Sequence, residues 1–237
     1  VSTPSTGSFI SSPTSLTQYL TTASGPYSSA GGYFAFEKLP SDLRKNLSND
    51  TKSLLASYPQ DWPEIQHVVS GFPGGPNFTI GSVSPTLILP SSRGNVTITS
   101  PNMADHPEIN LDWLTTPSDT EFAIAALKRA RQIWNATAAK SVRLGEEIAP
   151  GTAVQSDEDI LEYIRNTGQT TWHASSTCRM GRESDEEAVV DGRGRVFGVG
   201  GLRVVDASVF PFGVPSNPQG TLYGLAEKIA EDIKHGR

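Results

Sequence analysis

An α+β fold, an antiparallel sheet with helices on one side, is predicted for this chain by three observations. Apolar residues alternate with polar ones around residues 86–99, the period of half-buried strands. Between Pro117 and Thr137 the period changes to that of a helix. From Thr170 onward the chain turns glycine-rich, with short apolar runs, and closes on a second helical stripe. The change of texture predicts two parts, residues 1–166 and 167–237.

The elements follow in order. Residues 1–33 are rich in Ser, Thr and Gly and read as coil; Ser41–Pro59 is compatible with a helix, polar on one side. Leu87 and Leu89 alternate with Ile88, and Val96 and Ile98 with Thr97 and Thr99. With Ser92–Gly94 as the turn, this predicts a hairpin. Glu108–Leu114 offers a further strand. Ser118 and Glu121 read as a capping box after Pro117, opening a helix with Ala123, Leu127, Ala130 and Trp134 on one buried stripe. A shorter helix starts at Ser156 and carries Ile160, Leu161 and Ile164. The tail predicts strands at Val189–Val190, Arg195–Val199 and Leu202–Val205, then a helix with Leu222, Ala226, Ile229 and Ile233 on one face. No internal repeat is visible.

Composition removes several function classes. A formal charge of −6 argues against nucleic acid or an anionic membrane as partner, and no apolar run reaches the ~18 residues of a membrane span. The single cysteine, Cys178, permits no internal disulfide and no cysteine-rich metal site. The chain opens on Val1, without a signal peptide or an initiator Met, which predicts a processed or truncated chain. Five N-x-[ST] sequons stand at Asn46, Asn49, Asn77, Asn95 and Asn135, all in the first 137 residues. That clustering predicts a secreted or secretory-pathway glycoprotein with its glycans on the first part.

The chemistry concentrates in "TTWHASSTCRMG", Thr170–Gly181, which holds one of four histidines and the only cysteine. A metal site lacks ligands, since His173 and Cys178 have no second His or Cys nearby and zinc needs three or four donors. A Cys178 nucleophile would need a base and an orienting third group. Two readings stay open: His173 as a hydrogen-bonded core residue with Cys178 as a small hydrophobe, or His173 as a lone base in a pocket.

The rest of the tail adds a resemblance. From Trp172 to Ile233 the chain carries H-x-x-x-T-C-R-M-G, then V-D, a G-L-R-V-V-D-A-S strand and an N-P-Q-x-T helix start. With "SRGNVTITSPNMADHPEINLDWL" upstream, it resembles the glucose–methanol–choline (GMC) flavin oxidoreductases over about residues 85–237. The secreted fungal members, including aryl-alcohol oxidases, are the nearer likeness. The resemblance implies a substrate domain followed by the last strand and helix of an FAD-binding domain, FAD as cofactor and a small-molecule alcohol as substrate. Hydride would pass from the alcohol carbon to flavin N5 while a base takes the hydroxyl proton. The family's last motif, P-x-x-H/N-P-Q, falls on Pro215–Gln219 and carries Asn217.

An amide accepts no proton at neutral pH, whereas an imidazole does, so His173 becomes the base and Asn217 the donor that holds the alcohol oxygen. Asn217 with Pro218 also reads as an ordinary helix start, N-cap and N1. Pro218 and Gln219 at that start would face the flavin's pyrimidine end, where a helix N-terminus stabilises negative charge. Asp206 and Ala207 would approach the ribityl and phosphate portion; Asp206 reads equally as a strand-end cap. The G-x-G-x-x-G fingerprint of dinucleotide binding is absent, because Gly192, Gly194 and Gly198 have the wrong spacing. The chain therefore calls for an N-terminal FAD-binding half as partner. A non-redox relative keeping FAD as structure, or a non-catalytic secreted fragment, are the alternatives.

Overall fold

The computed structural model describes residues 2–4, 13–28, 33–75 and 78–236. Asn77 lies outside them. The chain separates into two compact units, one formed by residues 1–87 and 120–168, the other by 88–119 and 169–237. The split predicted from texture has one crossing near residue 166; the structure also sends 88–119 across to join the tail.

The first unit is built on a four-stranded antiparallel sheet in the order β1–β4–β3–β2. Its strands are β1 (Ser2–Pro4), β2 (Tyr33–Glu37), β3 (Ile65–Gly75) and β4 (Phe78–Leu87). Ala35, His67 and Pro85 stand opposite one another across β2, β3 and β4. Pro85 has no N–H for a ladder, yet β1 pairs only with Phe78–Ile80, so Pro85 lies beyond the paired stretch of that edge. Leu87 thus ends the long β3–β4 hairpin rather than pairing with Val96, which corrects the hairpin expected around Ser92–Gly94.

Helices join this unit, packing against the sheet through Ile65 and Leu87. Helix α1 (Pro13–Thr22) replaces part of the expected coil, and the stretch 41–59 holds two helices, α2 (Ser41–Arg44) and α3 (Asn49–Ala56). Ser48 caps α3 by accepting from the Thr51 N–H. Helix α4 (Pro117–Asn135) is the long helix of the sequence. Its start differs from the expected capping box. Thr116 Oγ1 accepts from Asp119 N at 3.3 Å, with Pro117 as first helical residue. Glu121 instead accepts from Ser48 N (2.9 Å) and Thr51 Oγ1 (2.8 Å), tying α4 to the start of α3.

The apolar cluster of this unit joins Leu39, Leu47, Leu55, Ile65, Phe122, Ala125 and Ala126. Ala123 and Ala130 of the expected stripe are buried, Leu127 and Trp134 half-buried. The buried face is therefore wider than that stripe. Full burial of a side chain such as Ile65 contributes about 1.5–3 kcal/mol. Helices α5 (Thr137–Lys140) and α6 (Asp157–Thr167) follow, α6 capped by Ser156 and burying Ile160 as expected.

A polar network links β2 and β3 to α4. His67 Nε2 is 2.7 Å from Glu37 Oε1, and Arg129 of α4 grips both oxygens of Glu37 at 2.7 and 2.9 Å. Those bonds from Arg129, opposed by partial burial and helped by His67, hold the Glu37 carboxyl below its ordinary range. Nearby, Glu64 is buried and accepts from Leu39 N and Arg44.

The second unit has little regular structure. β5 (Asn95–Thr97) pairs with β6 (Glu108–Asn110), so Glu108–Leu114 does contribute a short strand. Ser91 and Ser92 are pinned by Asp119, which accepts both backbone N–H groups at 2.7 and 2.8 Å. The three strands expected in the tail are reduced to isolated bridges, Met180 with Val190, Val190 with Val196 and Arg195 with Arg203. Asp191 explains the interruption: its carboxylate accepts from Arg193 N and Arg195 N and closes a turn between the runs. Helix α7 (Gln219–Lys234) seals this unit through Ile229, which is fully buried. Gly194 makes that contact possible. Its φ is +72°, and a Cβ there would stand 2.6 Å from Val204 O and 3.3 Å from Ile229 Cδ1. Ile233 is 54% exposed, so the expected apolar face is only partly covered. No helix among the described residues is long and apolar enough to cross a membrane.

Candidate functional site

The Thr170–Gly181 segment is held by backbone pairing. Ser176 N donates to Ala207 O (3.2 Å), Cys178 N to Ser208 O (2.9 Å) and Met180 N to Val209 O (2.9 Å). This lays Ser176–Met180 alongside Ala207–Val209, a one-turn 3₁₀ helix. Two segments that the sequence separates by some thirty residues therefore form one small platform, and the H-x-x-x-T-C-R-M-G stretch meets the V-D-A-S stretch on it. Asp206 caps the turn by accepting from Ser208 N at 2.8 Å, so its capping role is realised. Arg179 is occupied by Asp185 and Glu187, each at 2.9 Å, and works as a strut.

His173 sits just before the platform on unusual backbone. Trp172 has φ 57° and Ser176 φ 70°, both in the left-handed region that L-residues with side chains rarely adopt. Strain of this kind costs about 1–3 kcal/mol per residue and collects at functional segments. Trp172 N donates to Thr170 Oγ1 at 2.8 Å, which helps hold the bend. The outcome is exposure. Trp172 is 83% exposed and His173 is exposed, its ring without a hydrogen bond among the described residues. The reading of His173 as a core histidine is therefore corrected, because the imidazole lies at the surface of its unit. The core histidine of this chain is His67, 1% exposed and hydrogen-bonded to Glu37.

Asn217 departs from the expected helix start by one position. Pro218 occupies the cap of α7 without a side-chain bond, and Gln219 is the first helical residue. Freed from capping, Asn217 leaves its Oδ1 buried and without a partner. A buried polar atom without a partner costs about 1–3 kcal/mol unless a ligand or water supplies one. Beside it the first turn of a sixteen-residue helix presents backbone N–H groups. An orphaned acceptor next to uncapped donors matches the edge of a ring that carries both amide N–H and carbonyl groups, as a flavin does. Gln219 is exposed, and Asp206 is exposed beside the platform. His173, Asp206, Ala207, Asn217, Pro218 and Gln219 all belong to the second unit. The strain at Trp172 and the pairing of Ser176 with Ala207 were not legible in the sequence. Neither residue type announces a positive φ, and ladder partners so far apart leave no local pattern.

The residues that the resemblance assigns to cofactor and substrate thus share one unit. The chain belongs to the GMC oxidoreductase family, whose model matches residues 90–226, more than half of its length. FAD is the cofactor of that family. The chain is similar to patulin synthase of Penicillium expansum, 46% identical over 211 residues, covering 84% of this chain and 34% of that protein. It is similar in fold to the formate oxidase of Aspergillus oryzae RIB40, with a TM-score of 0.78 at 22% identity, covering 94% of this chain and 41% of the oxidase. A fungal aryl-alcohol oxidase superposes with a TM-score of 0.68 at 23% identity, covering 89% and 40% of the two chains. The chain thus spans about a third of the length of the curated relatives it matches.

Proposed function

We propose that this chain is the C-terminal part of an FAD-dependent oxidoreductase that oxidises the CH–OH group of a small alcohol. His173 is its base and Asn217 its oxygen-holding donor. The observation that carries the reading is the exposed imidazole of His173, without a hydrogen bond among the described residues and between two residues of left-handed backbone, just before the segment that pairs with Ala207–Val209. An imidazole that takes a substrate proton needs a ring nitrogen within reach of that substrate, and the exposed ring of His173 offers one. Bound FAD supplies an acceptor for the two electrons that leave the alcohol carbon as hydride.

The chain's own residues do the rest. A nitrogen of His173 accepts the hydroxyl proton as the alcohol becomes a carbonyl. The Asn217 amide N–H donates to the same oxygen and orients it. Asn217 Oδ1 and the first N–H groups of α7 are the groups that would hold the ring edge, and the positive end of the helix favours negative charge there. Trp172, exposed beside His173, would exclude water from one side of the alcohol. The remainder of the FAD site is assigned to an N-terminal dinucleotide-binding half, since no G-x-G-x-x-G occurs in this sequence. The five sequons support the reading that the protein passes through the secretory pathway.

Adding a panel of primary alcohols to the complete, FAD-loaded protein without oxygen tests this reading. Loss of the flavin's visible absorbance with at least one alcohol, and appearance of the matching aldehyde, is expected. A flavin that stays oxidised with every alcohol, in protein that still converts a natural substrate, would show a non-redox relative with FAD as structure.

A further inference from the structure

The four sequon asparagines among the described residues, Asn46, Asn49, Asn95 and Asn135, are all exposed. N-glycosylation also uses the hydroxyl of the third residue, and there the four differ. Thr51, third residue of the Asn49 sequon, is 1% exposed and donates to Glu121 Oε2 at 2.8 Å. Ser48, third residue of the Asn46 sequon, caps α3, its Oγ accepting from Thr51 N at 3.2 Å and lying 2.9 Å from Thr51 Oγ1. Asn49 is itself the first residue of α3. Both hydroxyls are thus consumed by the fold, and the second sequon is wound into a helix. An acceptor tripeptide must unwind to enter a transferase site, which here means breaking the α3–α4 tie.

The other two sequons expose both the asparagine and the hydroxyl residue, one on a two-stranded ribbon and one at the junction of α4 and α5. Asn95 and Thr97 lie on β5, which is exposed throughout. Asn135 ends α4; its Oδ1 accepts from Arg143 at 3.1 Å, while its amide nitrogen makes no hydrogen bond among the described residues. Thr137 is exposed.

We propose that Asn95 and Asn135 are the N-glycosylation sites of the folded chain, and that Asn46 and Asn49 accept a glycan only before α3 forms. The inference rests on the secretory reading above and is independent of the flavin chemistry. In the transfer, a bond forms between the Asn amide nitrogen and the first carbon of a lipid-linked oligosaccharide. The bond from that carbon to the lipid diphosphate breaks, and the amide proton leaves with the diphosphate.

The test uses the complete protein made without glycans in a bacterium, a purified oligosaccharyltransferase and a lipid-linked oligosaccharide. Folded chain and a protease digest of the same chain are compared by peptide mapping. Folded chain should be modified at Asn95 and Asn135. Modification at Asn46 or Asn49 should be slower than in the digest by a factor on the order of ten or more, set by local opening of α3. Thr97→Ala and Thr137→Ala should each remove one glycan and leave the other. Equal transfer to Asn46 or Asn49 in folded chain and digest would overturn the proposal. So would failure of Asn95 and Asn135 to accept from either. The compartment is read separately: the complete protein isolated from its own source, its glycans released in heavy-oxygen water, should carry label at Asn95 and Asn135. Unlabelled asparagines there, in chain that the purified transferase does modify, would overturn the secretory premise and leave the flavin reading standing.

Discussion

His67 and His173 occupy opposite situations in one chain. His67 stands on β3 in the sheet of the first unit, 1% exposed, bonded to a carboxylate that Arg129 also grips. His173 stands exposed in the second unit, its ring unbonded among the described residues, between two residues of left-handed backbone. The first is fixed by packing and polar pairing, which is how a fold uses a histidine for stability. The second is held by its backbone while its ring stays open, which is how a chain presents a group to something else. The contrast extends to the units that carry them. One has a cluster of buried apolar side chains between helices and sheet. The other relies on tight turns, isolated bridges and a capping Asp, and it gathers every residue assigned to FAD and alcohol.

The comparison predicts separable effects, beginning with the largest. In the complete FAD-loaded protein, His173→Ala should slow flavin reduction by a factor on the order of 10² to 10⁴, the usual worth of a placed base, with flavin content nearly unchanged. His67→Ala should do the reverse. It leaves a cavity and removes a partner of Glu37, costing about 2–4 kcal/mol in a denaturant titration, with reduction per bound flavin preserved.

Asn217→Ala should raise the barrier by roughly 1–3 kcal/mol, the worth of a hydrogen bond rather than of a proton acceptor. Asn217→His, which restores a donor, should retain more activity than Asn217→Ala; the opposite order would remove the donor role. The smallest effect concerns Asp119. Burial raises its carboxyl pKa, but the bonds from Ser91 and Ser92 outweigh burial and hold it below the ordinary value. A lowered folded pKa means stability that is present above the unfolded value near 4 and lost as pH falls through the folded one. Asp119→Asn should therefore cost about 1–2 kcal/mol at neutral pH, a difference that begins to shrink as pH falls below about 4 and closes below the folded pKa in unfolding measurements.

What was legible in the sequence divides along the same line. Helices α4, α6 and α7 show in their periodicity, and Ser156 as a cap, because those signals are local. Strands β3 and β4 were hidden. Pro73, Pro85 and several glycines inside them read as punctuation, and their pairing depends on partners many residues away. The hairpin expected at Ser92–Gly94 failed for a related reason: Asp119 holds that stretch instead. At the candidate site, residue types pointed to His173 and Asn217. The exposure of one and the orphaned oxygen of the other are tertiary facts. A displacement by one residue at Pro218 was enough to change Asn217 from a helix cap into an unpaired acceptor.

The account stands or falls on which histidine meets the alcohol. The most direct measurement is anaerobic stopped-flow reduction by a saturating alcohol, run on His173→Ala and His67→Ala side by side and normalised to bound flavin. The predicted result is a loss on the order of 10² to 10⁴ for His173→Ala and a native rate for His67→Ala. Native reduction by His173→Ala, or equal losses in both variants, would contradict the assignment and return "TTWHASSTCRMG" to a structural role.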